Sequence, residues 1–186
     1  MPTPDIWVKV LPLLYTGIWG GETLYDPNQM LSVGPAQQQL VGGLGGIIKA
    51  NNNTERGSGE ATLAYVYGYR AYGFQPKLMP FVTSRGDVVA GLGLQDDFLF
   101  RNISLLPDGS APMFFSFAAA PSFYMPGPSP RGNYGHPFQF QMTDEIGFYV
   151  GKSARISFAF NHYSDGGFTD VNPNGNAFTL NFGYRF

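Results

Sequence analysis

Near its C-terminus, the sequence alternates strictly between apolar and polar side chains with a period of two residues, which limits the secondary structure that the chain can form there. In residues 153–164 (SARISFAFNHYS), the even positions are apolar up to Phe160, and the odd positions are small or polar. Residues 138–150 and 176–186 repeat the pattern with Phe, Ile, Leu and Tyr on their even face. Successive side chains of a strand point to opposite faces, so a period of two predicts three β-strands with one apolar face each.

Composition narrows the class of β protein. Aromatic residues make up 16% of the chain and charged residues only 13%, about half the ~25% usual in soluble domains. The net charge of −2 gives no basic patch for nucleic acid, and the absence of cysteine excludes disulfides and thiolate sites. No segment is long and apolar enough for a transmembrane helix. These properties favour a β-barrel whose apolar face meets lipid.

Eight segments have the length and pattern of strands, which is the smallest usual number for a membrane barrel. They are residues 38–50, 60–72, 74–84, 87–100, 112–124, 138–150, 153–164 and 176–186. The segment 74–84 is the weakest candidate because Pro76 and Pro80 cannot donate to a ladder. We therefore predict an all-β, eight-stranded antiparallel transmembrane barrel of the outer-membrane type.

The predicted organisation is an N-terminal extension, residues 1–37, followed by a barrel, residues 38–186. The extension could be a periplasmic cap, a plug or one or two further strands. The start MPTPDIWVKV lacks the basic and apolar stretches of a signal peptide, so either the protein is not exported or the sequence begins at a mature terminus. The chain ends on Phe186 in an alternating strand, which resembles the signal recognised by the barrel assembly machinery. The predicted partners are thus that machinery and outer-membrane lipids, with no nucleic acid.

A polar cluster interrupts the apolar face near the predicted extracellular rim. His162 and Ser164 share that face, about 6–7 Å apart at Cα. A hairpin closing on residues 165–175 would pair Ser164 with Asn176 and place Asn176 diagonal to His162. A serine beside an imidazole, with a third group orienting the ring, is the arrangement of nucleophilic ester hydrolysis. The alternative is that polar strand ends simply meet lipid headgroups.

The segment Phe160–Ser164 (FNHYS) and the following Asn172-Pro173-Asn174-Gly175 resemble the outer-membrane lipid A 3-O-deacylases of the PagL type. The resemblance implies an eight-stranded barrel with a Ser-His-Glu triad on its membrane-facing wall. His162 would be the general base, Ser164 the nucleophile and Gly167 a backbone donor to the oxyanion. The partner would be lipid A, and no metal or other cofactor is expected.

Two positions depart from the family's pattern. The acidic triad member falls at Asn176, which can orient the imidazole but cannot stabilise the imidazolium by charge. The Asn expected after the serine is Asp165, and an anion there would repel a developing oxyanion. Asp144 is an alternative acid: if a three-residue turn pairs 150 with 154, then 142 pairs with 162 and Asp144 lies diagonal to His162. Asp170, in the loop, is a weaker alternative.

Three functions remain open from the sequence. The first is a serine esterase that removes the ester-linked acyl chain at the 3 position of lipid A. The second is a non-catalytic structural or complex-forming barrel of the same ancestry, favoured by Asn176 and Asp165. The third is a soluble lipocalin-like carrier, which requires the apolar faces to point inward. Lipid A mass spectrometry, with and without the protein, discriminates the first two.

Overall fold

A computed structural model describes residues 32–50, 57–129, 136–168 and 175–186. Its strands are β1 (Val33–Pro35), β2 (Gln39–Lys49), β3 (Gly59–Val66), β4 (Tyr69–Ala71), β5 (Gln75–Thr83), β6 (Val88–Ser104), β7 (Pro112–Met125), β8 (Phe138–Val150), β9 (Ala154–Ser164) and β10 (Gly175–Arg185). None of these residues belongs to a helix that could cross a membrane.

Eight of the strands close into one antiparallel barrel, in the order β10-β2-β3-β5-β6-β7-β8-β9, and β1 pairs with β4 in a separate two-stranded sheet. The prediction of an all-β, eight-stranded barrel is therefore confirmed. Closure by β10 against β2 leaves the barrel without a free edge, which removes the unpaired backbone groups that an open sheet would expose.

The direction of the side chains shows which medium surrounds the barrel. The odd positions of β9, such as Arg155 and Asn161, are buried inside, whereas Phe158 is exposed outside. The same holds for β10, where Thr179 is buried and Phe182 is 59% exposed. A polar interior with an apolar outer wall is the pattern of a membrane barrel and the reverse of a lipocalin. The lipocalin-like alternative is thus wrong.

Polar side chains fill the lumen, and its charged groups pair or hydrogen-bond with neighbours across it. Arg155 Nη2 lies 2.9 Å from Glu145 Oε2, and Arg155 also donates to Gln39. Nearer the opposite end, Glu60 accepts hydrogen bonds from Tyr163 at 2.6 Å and from Asn161 at 3.2 Å. Buried charges are tolerated in a small barrel only when they are paired in this way, so the network fixes which face of each strand points inward.

Loop lengths identify the two rims. The rim at which β2 begins and β10 ends has the connections 67–74, 105–111 and 151–153, and the other rim has 50–58, 84–87, 126–137 and 165–174. Longer loops are extracellular in outer-membrane barrels. The first rim is therefore periplasmic and the second extracellular.

The predicted segment 60–72 is not one strand, and this prediction was wrong. The barrel strand β3 ends at Val66, and residues 69–71 form β4, which pairs with β1. Gly68 lies at the break: a side chain there would come within 2.6 Å of Gln38, and its carbonyl accepts from the N–H of Ala36. The chain leaves the barrel at this glycine and forms a small sheet beneath the periplasmic rim.

The segment 74–84 is a barrel strand despite its two prolines. Residues of β5 pair with β3 on both sides of Pro80, but the ladder skips residues 79 and 80. A proline supplies no N–H, so the interrupted ladder accommodates it. The 101–111 connection is also shorter than predicted, because β6 continues to Ser104.

Candidate functional site

The polar cluster lies on the outer wall near the extracellular end of β9 and β10. His162 and Ser164 are successive outward residues of β9, and Asn176 is the first outward residue of β10. They are only 4%, 8% and 8% exposed, respectively, whereas Phe158, on the same face of β9, is 49% exposed. The cluster is thus a covered polar site within an otherwise exposed apolar wall.

The register brings Asn176 directly opposite His162, and His162 Nδ1 lies 2.8 Å from Asn176 Oδ1. With the proton on Nδ1, the imidazole donates to the amide oxygen and Nε2 keeps a lone pair. This is the protonation state that a general base requires. Asn176 therefore holds the imidazole from the position at which the resemblance expects the third triad member, with an amide instead of a carboxylate.

The predicted pairing of Ser164 with Asn176 was wrong by two residues. Gly175 pairs with Tyr163, so the β9–β10 ladder ends before Ser164. A shift of two preserves the face of every side chain, which is why Asn176 still reaches His162. In the part of the chain that the structure describes, no hydrogen bond joins Ser164 Oγ to His162; Ser164 lies one residue pair beyond the ladder.

The loop after Ser164 makes a tight turn. The N–H of Gly167 donates to Asp165 Oδ1 at 2.7 Å, and Gly166 and Gly167 have φ values of +71° and +81°. Only glycine adopts this conformation without strain. The backbone donor predicted for an oxyanion is therefore occupied by the Asp165 carboxylate. The alternative acid Asp170 lies outside the described residues.

The alternative acid Asp144 lies opposite Phe160 in the β8–β9 ladder, and Met142 lies opposite His162. The predicted register of this hairpin is confirmed. Asp144 is therefore diagonal to His162 on the outer wall, but it makes no hydrogen bond to the imidazole, whose Nδ1 is held by Asn176. The described residues also contain no cluster of His, Asp or Glu suited to a metal ion.

Aromatic rings flank the cluster on two sides. They were not predicted from the sequence to be part of the site. Phe140 lies opposite Ser164, with its ring 6.1 Å from that of Phe168 in the loop. Below His162, the rings of Phe160 and Phe178 are 5.4 Å apart. The sequence did carry a signal for them, because Phe140, Phe160 and Phe178 have even numbers and therefore share the face of His162. They surround the polar groups with apolar surface.

A polar clamp inside the lumen supports the same strand from behind. Tyr163, between His162 and Ser164, points inward and donates to Glu60 Oε1, and Asn161 donates to the same oxygen and to Thr179. Three strands are tied together there, behind the catalytic candidates. The inward parity of Asn161 and Tyr163 was visible in the sequence, but their partner on β3 was not.

Comparison with known proteins agrees with this geometry. A family model described as lipid A 3-O-deacylase (PagL) matches residues 34–185, which include every residue of the candidate site. A search of curated proteins finds no match.

Solved structures share the fold at low sequence identity. The crystal structure of the outer membrane enzyme PagL has a TM-score of 0.59 and 11% identity, covering 78% of this chain and 97% of that chain. Neisserial surface protein A gives 0.51 and 9%, covering 80% and 95%. The N-terminal β-barrel domain of Pseudomonas aeruginosa OprF gives 0.52 and 9%, covering 82% and 99%. The fold and the family match together place the protein in the bacterial outer membrane.

Proposed function

Because the chain belongs to the lipid A 3-O-deacylase (PagL) family, we propose that it is an outer-membrane serine esterase that removes the acyl chain ester-linked at the 3 position of lipid A. The observation that carries the proposal is the 2.8 Å contact between His162 Nδ1 and Asn176 Oδ1 on the face that also bears Ser164. Lipid A diffuses in the outer leaflet, so a site on the wall near the extracellular rim meets its substrate without entry into the lumen.

The proposed reaction is acyl transfer followed by hydrolysis. His162 Nε2 takes the proton of Ser164 as Oγ attacks the ester carbonyl, and the imidazolium then returns that proton to the departing sugar oxygen. Water, deprotonated by His162, releases the fatty acid from Ser164. The apolar rings of Phe140, Phe160 and Phe178 offer contact surface for the acyl chain.

The same geometry implies a slow enzyme. The Asn176 amide orients the imidazole but adds no negative charge when the ring becomes an imidazolium. Asp→Asn in a serine protease, which also leaves the imidazole in the wrong tautomer, costs about 10⁴ in rate, and the loss here is at most of that size. The Gly167 N–H is engaged by Asp165, so that donor must be released before it can stabilise an oxyanion. We therefore propose a deacylase with a weakened triad.

The test is mass spectrometry of lipid A from a deacylase-free outer membrane that contains the wild-type barrel or Ser164→Ala. The proposal predicts a small fraction of lipid A lacking one hydroxyacyl chain with the wild type and none with the variant. Equal folded protein, judged by heat-modifiable migration on gels, is the control. The proposal is overturned if lipid A keeps all its acyl chains in both samples and also after prolonged incubation with the purified wild-type barrel.

The competing function is a non-catalytic barrel with a structural or complex-forming role. The specific observation in its favour is the Gly167 N–H···Asp165 hydrogen bond, which fills the oxyanion position with a carboxylate. A non-catalytic role predicts that the protein leaves lipid A unchanged. It also predicts that deleting the protein causes an outer-membrane defect, which Ser164→Ala corrects as well as the wild type does.

We also propose that the last strand is the segment that the barrel assembly machinery reads. Phe186 is 59% exposed on the outer wall, and its N–H donates to Gln38 O where β10 closes the barrel. Deleting Phe186 should lower the amount of folded barrel in outer-membrane fractions while refolding in detergent is retained. Undiminished folded protein in cells would contradict this role.

A further inference from the structure

The periplasmic end of the lumen contains a cavity that the proposed esterase does not use. Its volume is about 430 Å³, within the range of small-molecule sites. The lining comes from the barrel wall and from the β1–β4 sheet below it, and includes Gln39, Arg70, Gln75, Asp97, Tyr149 and Arg185. The catalytic candidates lie at the opposite rim and on the opposite face of the wall.

The cavity is a cup closed on its inner side. The buried ion pair of Arg155 and Glu145, with side chains 0% and 2% exposed, fills the lumen next to Gln39, and Arg155 donates to the Gln39 amide. A molecule that enters from the periplasm therefore meets a polar floor and does not pass through the barrel.

Two arginines with unused donors face this cup. Arg70 Nη2 donates to Gln75 Oε1 at 3.1 Å, and Arg185 Nη2 donates to the carbonyl of Gly151 at 3.1 Å. Among the described residues, Nε of both guanidinium groups is buried without a hydrogen-bond partner. These Nε atoms are not exposed to the cavity, but each guanidinium group has five N–H donors, and the hydrogen bonds to Gln75 and Gly151 use only one of each.

The cup is built to hold these groups in place. The β1–β4 pairing sets Arg70 opposite Gly34, and the guanidinium of Arg185 stacks on the Tyr149 ring with its Cζ 3.9 Å from the centroid. The one carboxylate of the lining, Asp97, already accepts from Gln39, Gln95 and Tyr149. Arg70 and Arg185 against this single carboxylate leave the lining with a net positive charge.

We propose that this cup binds an organic anion from the periplasmic side, whose carboxylate or phosphate group lies between Arg70 and Arg185. Guanidinium groups match both anions in shape and charge. The cavity, at about 430 Å³, is much larger than a single inorganic ion requires, so an organic anion fills it better. The anion is either a soluble periplasmic polycarboxylate or the headgroup of an inner-leaflet phospholipid.

Calorimetric titration of the full-length barrel in an uncharged detergent tests the proposal with three probes: tricarballylate, inorganic phosphate and dihexanoyl phosphatidylglycerol below its micelle concentration. We expect tricarballylate or the phospholipid to bind at one site per barrel, with inorganic phosphate at least tenfold weaker. Preference for tricarballylate identifies the soluble source, and preference for phosphatidylglycerol identifies the lipid.

Arg70→Gln and Arg185→Gln should each weaken that binding at least tenfold. Arg101→Gln is the matched control because Arg101 is exposed on β6 at the same rim but does not line the cup; it should change the affinity less than twofold. Ser164→Ala should bind as the wild type does, which separates this site from the esterase. No saturable binding of any probe, or equal weakening by Arg101→Gln in barrels shown to be folded by heat modifiability, overturns the proposal.

Discussion

Asp144 and Glu145 are neighbours in β8, yet they lie in opposite environments. Glu145 points into the lumen, where it contacts Arg155 at 2.9 Å and accepts from Ser157 and Asn181. Asp144 points outward between Phe117 and Phe160, and no hydrogen bond or ion pair of the described residues involves its side chain. A charge in the lumen is thus paired with an opposite charge and hydrogen-bond donors, whereas a charge on the outer wall is surrounded by apolar side chains.

This difference explains the chemistry of the candidate site. His162 and Asn176 lie on the outer wall, where an unpaired charge is costly. An amide at position 176 hydrogen-bonds the imidazole at 2.8 Å without placing a charge there. A carboxylate would stabilise the imidazolium that catalysis creates, at some expense to the stability of the wall. In the proposed mechanism, an amide at position 176 therefore gives a slower reaction and a more stable wall, and variants that move charge between the two faces of the wall test this.

The largest expected effect is on activity. Asn176→Asp keeps the length of the side chain and hence the contact to His162, and it supplies the missing charge. We expect deacylation of lipid A to rise by orders of magnitude, up to about 10⁴, which is the loss in a serine protease whose Asp→Asn change also leaves the imidazole in the wrong tautomer. The measurement is initial rate on purified lipid A by mass spectrometry.

Two variants control for indirect effects. Asn176→Gln changes the side chain without adding charge and should give no gain, and Ser164→Ala in the Asn176→Asp background must abolish the gain. If Asn176→Asp folds normally and lipid A is cleaved no faster, then Ser164, His162 and position 176 do not act as a triad.

Glu145→Gln tests whether the buried ion pair with Arg155 stabilises the barrel. It leaves Arg155 without its counter-charge in a buried position, and such losses cost about 3–5 kcal/mol. We expect the urea midpoint of the barrel in detergent to fall accordingly. The double variant Glu145→Leu with Arg155→Met, which removes both charges, should be less destabilised than Glu145→Gln. A single variant as stable as the wild type would show that the ion pair does not hold the lumen together.

Asp165→Asn sharpens the assignment of the oxyanion position. An Asn side chain can still accept from the Gly167 N–H through its oxygen, and its amide N–H becomes a donor to the developing charge. In the Asn176→Asp background we expect a further gain of roughly 10², the usual value of one oxyanion donor. If kcat does not change, residue 165 does not face the reacting carbonyl.

The length of each connection decided how well the sequence predicted the strand pairing. The three-residue turn 151–153 fixes the β8–β9 register, so the pairing of Met142 with His162 was predicted correctly. The ten residues between β9 and β10 do not fix a register, and the predicted pairing failed by two residues. The error left the face of Asn176 unchanged because strand side chains alternate with a period of two.

Contacts between distant strands were beyond sequence reasoning. Alternation showed that Tyr163 and Asn161 point inward, but their partner Glu60 on β3 lies three strands away around the closed barrel. The β1–β4 sheet was also missed, because three-residue strands carry no periodicity. Local pattern thus predicted which face each residue occupies, and the closed topology determined which residues meet.

The smallest expected effect is the change in stability on Asp144→Asn. Its sign tests whether the lumen and the outer wall treat a carboxylate differently. Asp144→Asn removes a charge from the apolar wall, so the barrel should become more stable, by about 1 kcal/mol, since acidic residues on a lipid face cost less than the ~2–4 kcal/mol of basic ones. Glu145→Gln, one residue away and of the same chemistry, should shift the urea midpoint in the opposite direction. Deacylation by Asp144→Asn should stay within about twofold of its parent, because Asn176 holds Nδ1 of His162. Loss of activity on Asp144→Asn would instead make Asp144 the acid of the site and move the third triad member from β10 to β8.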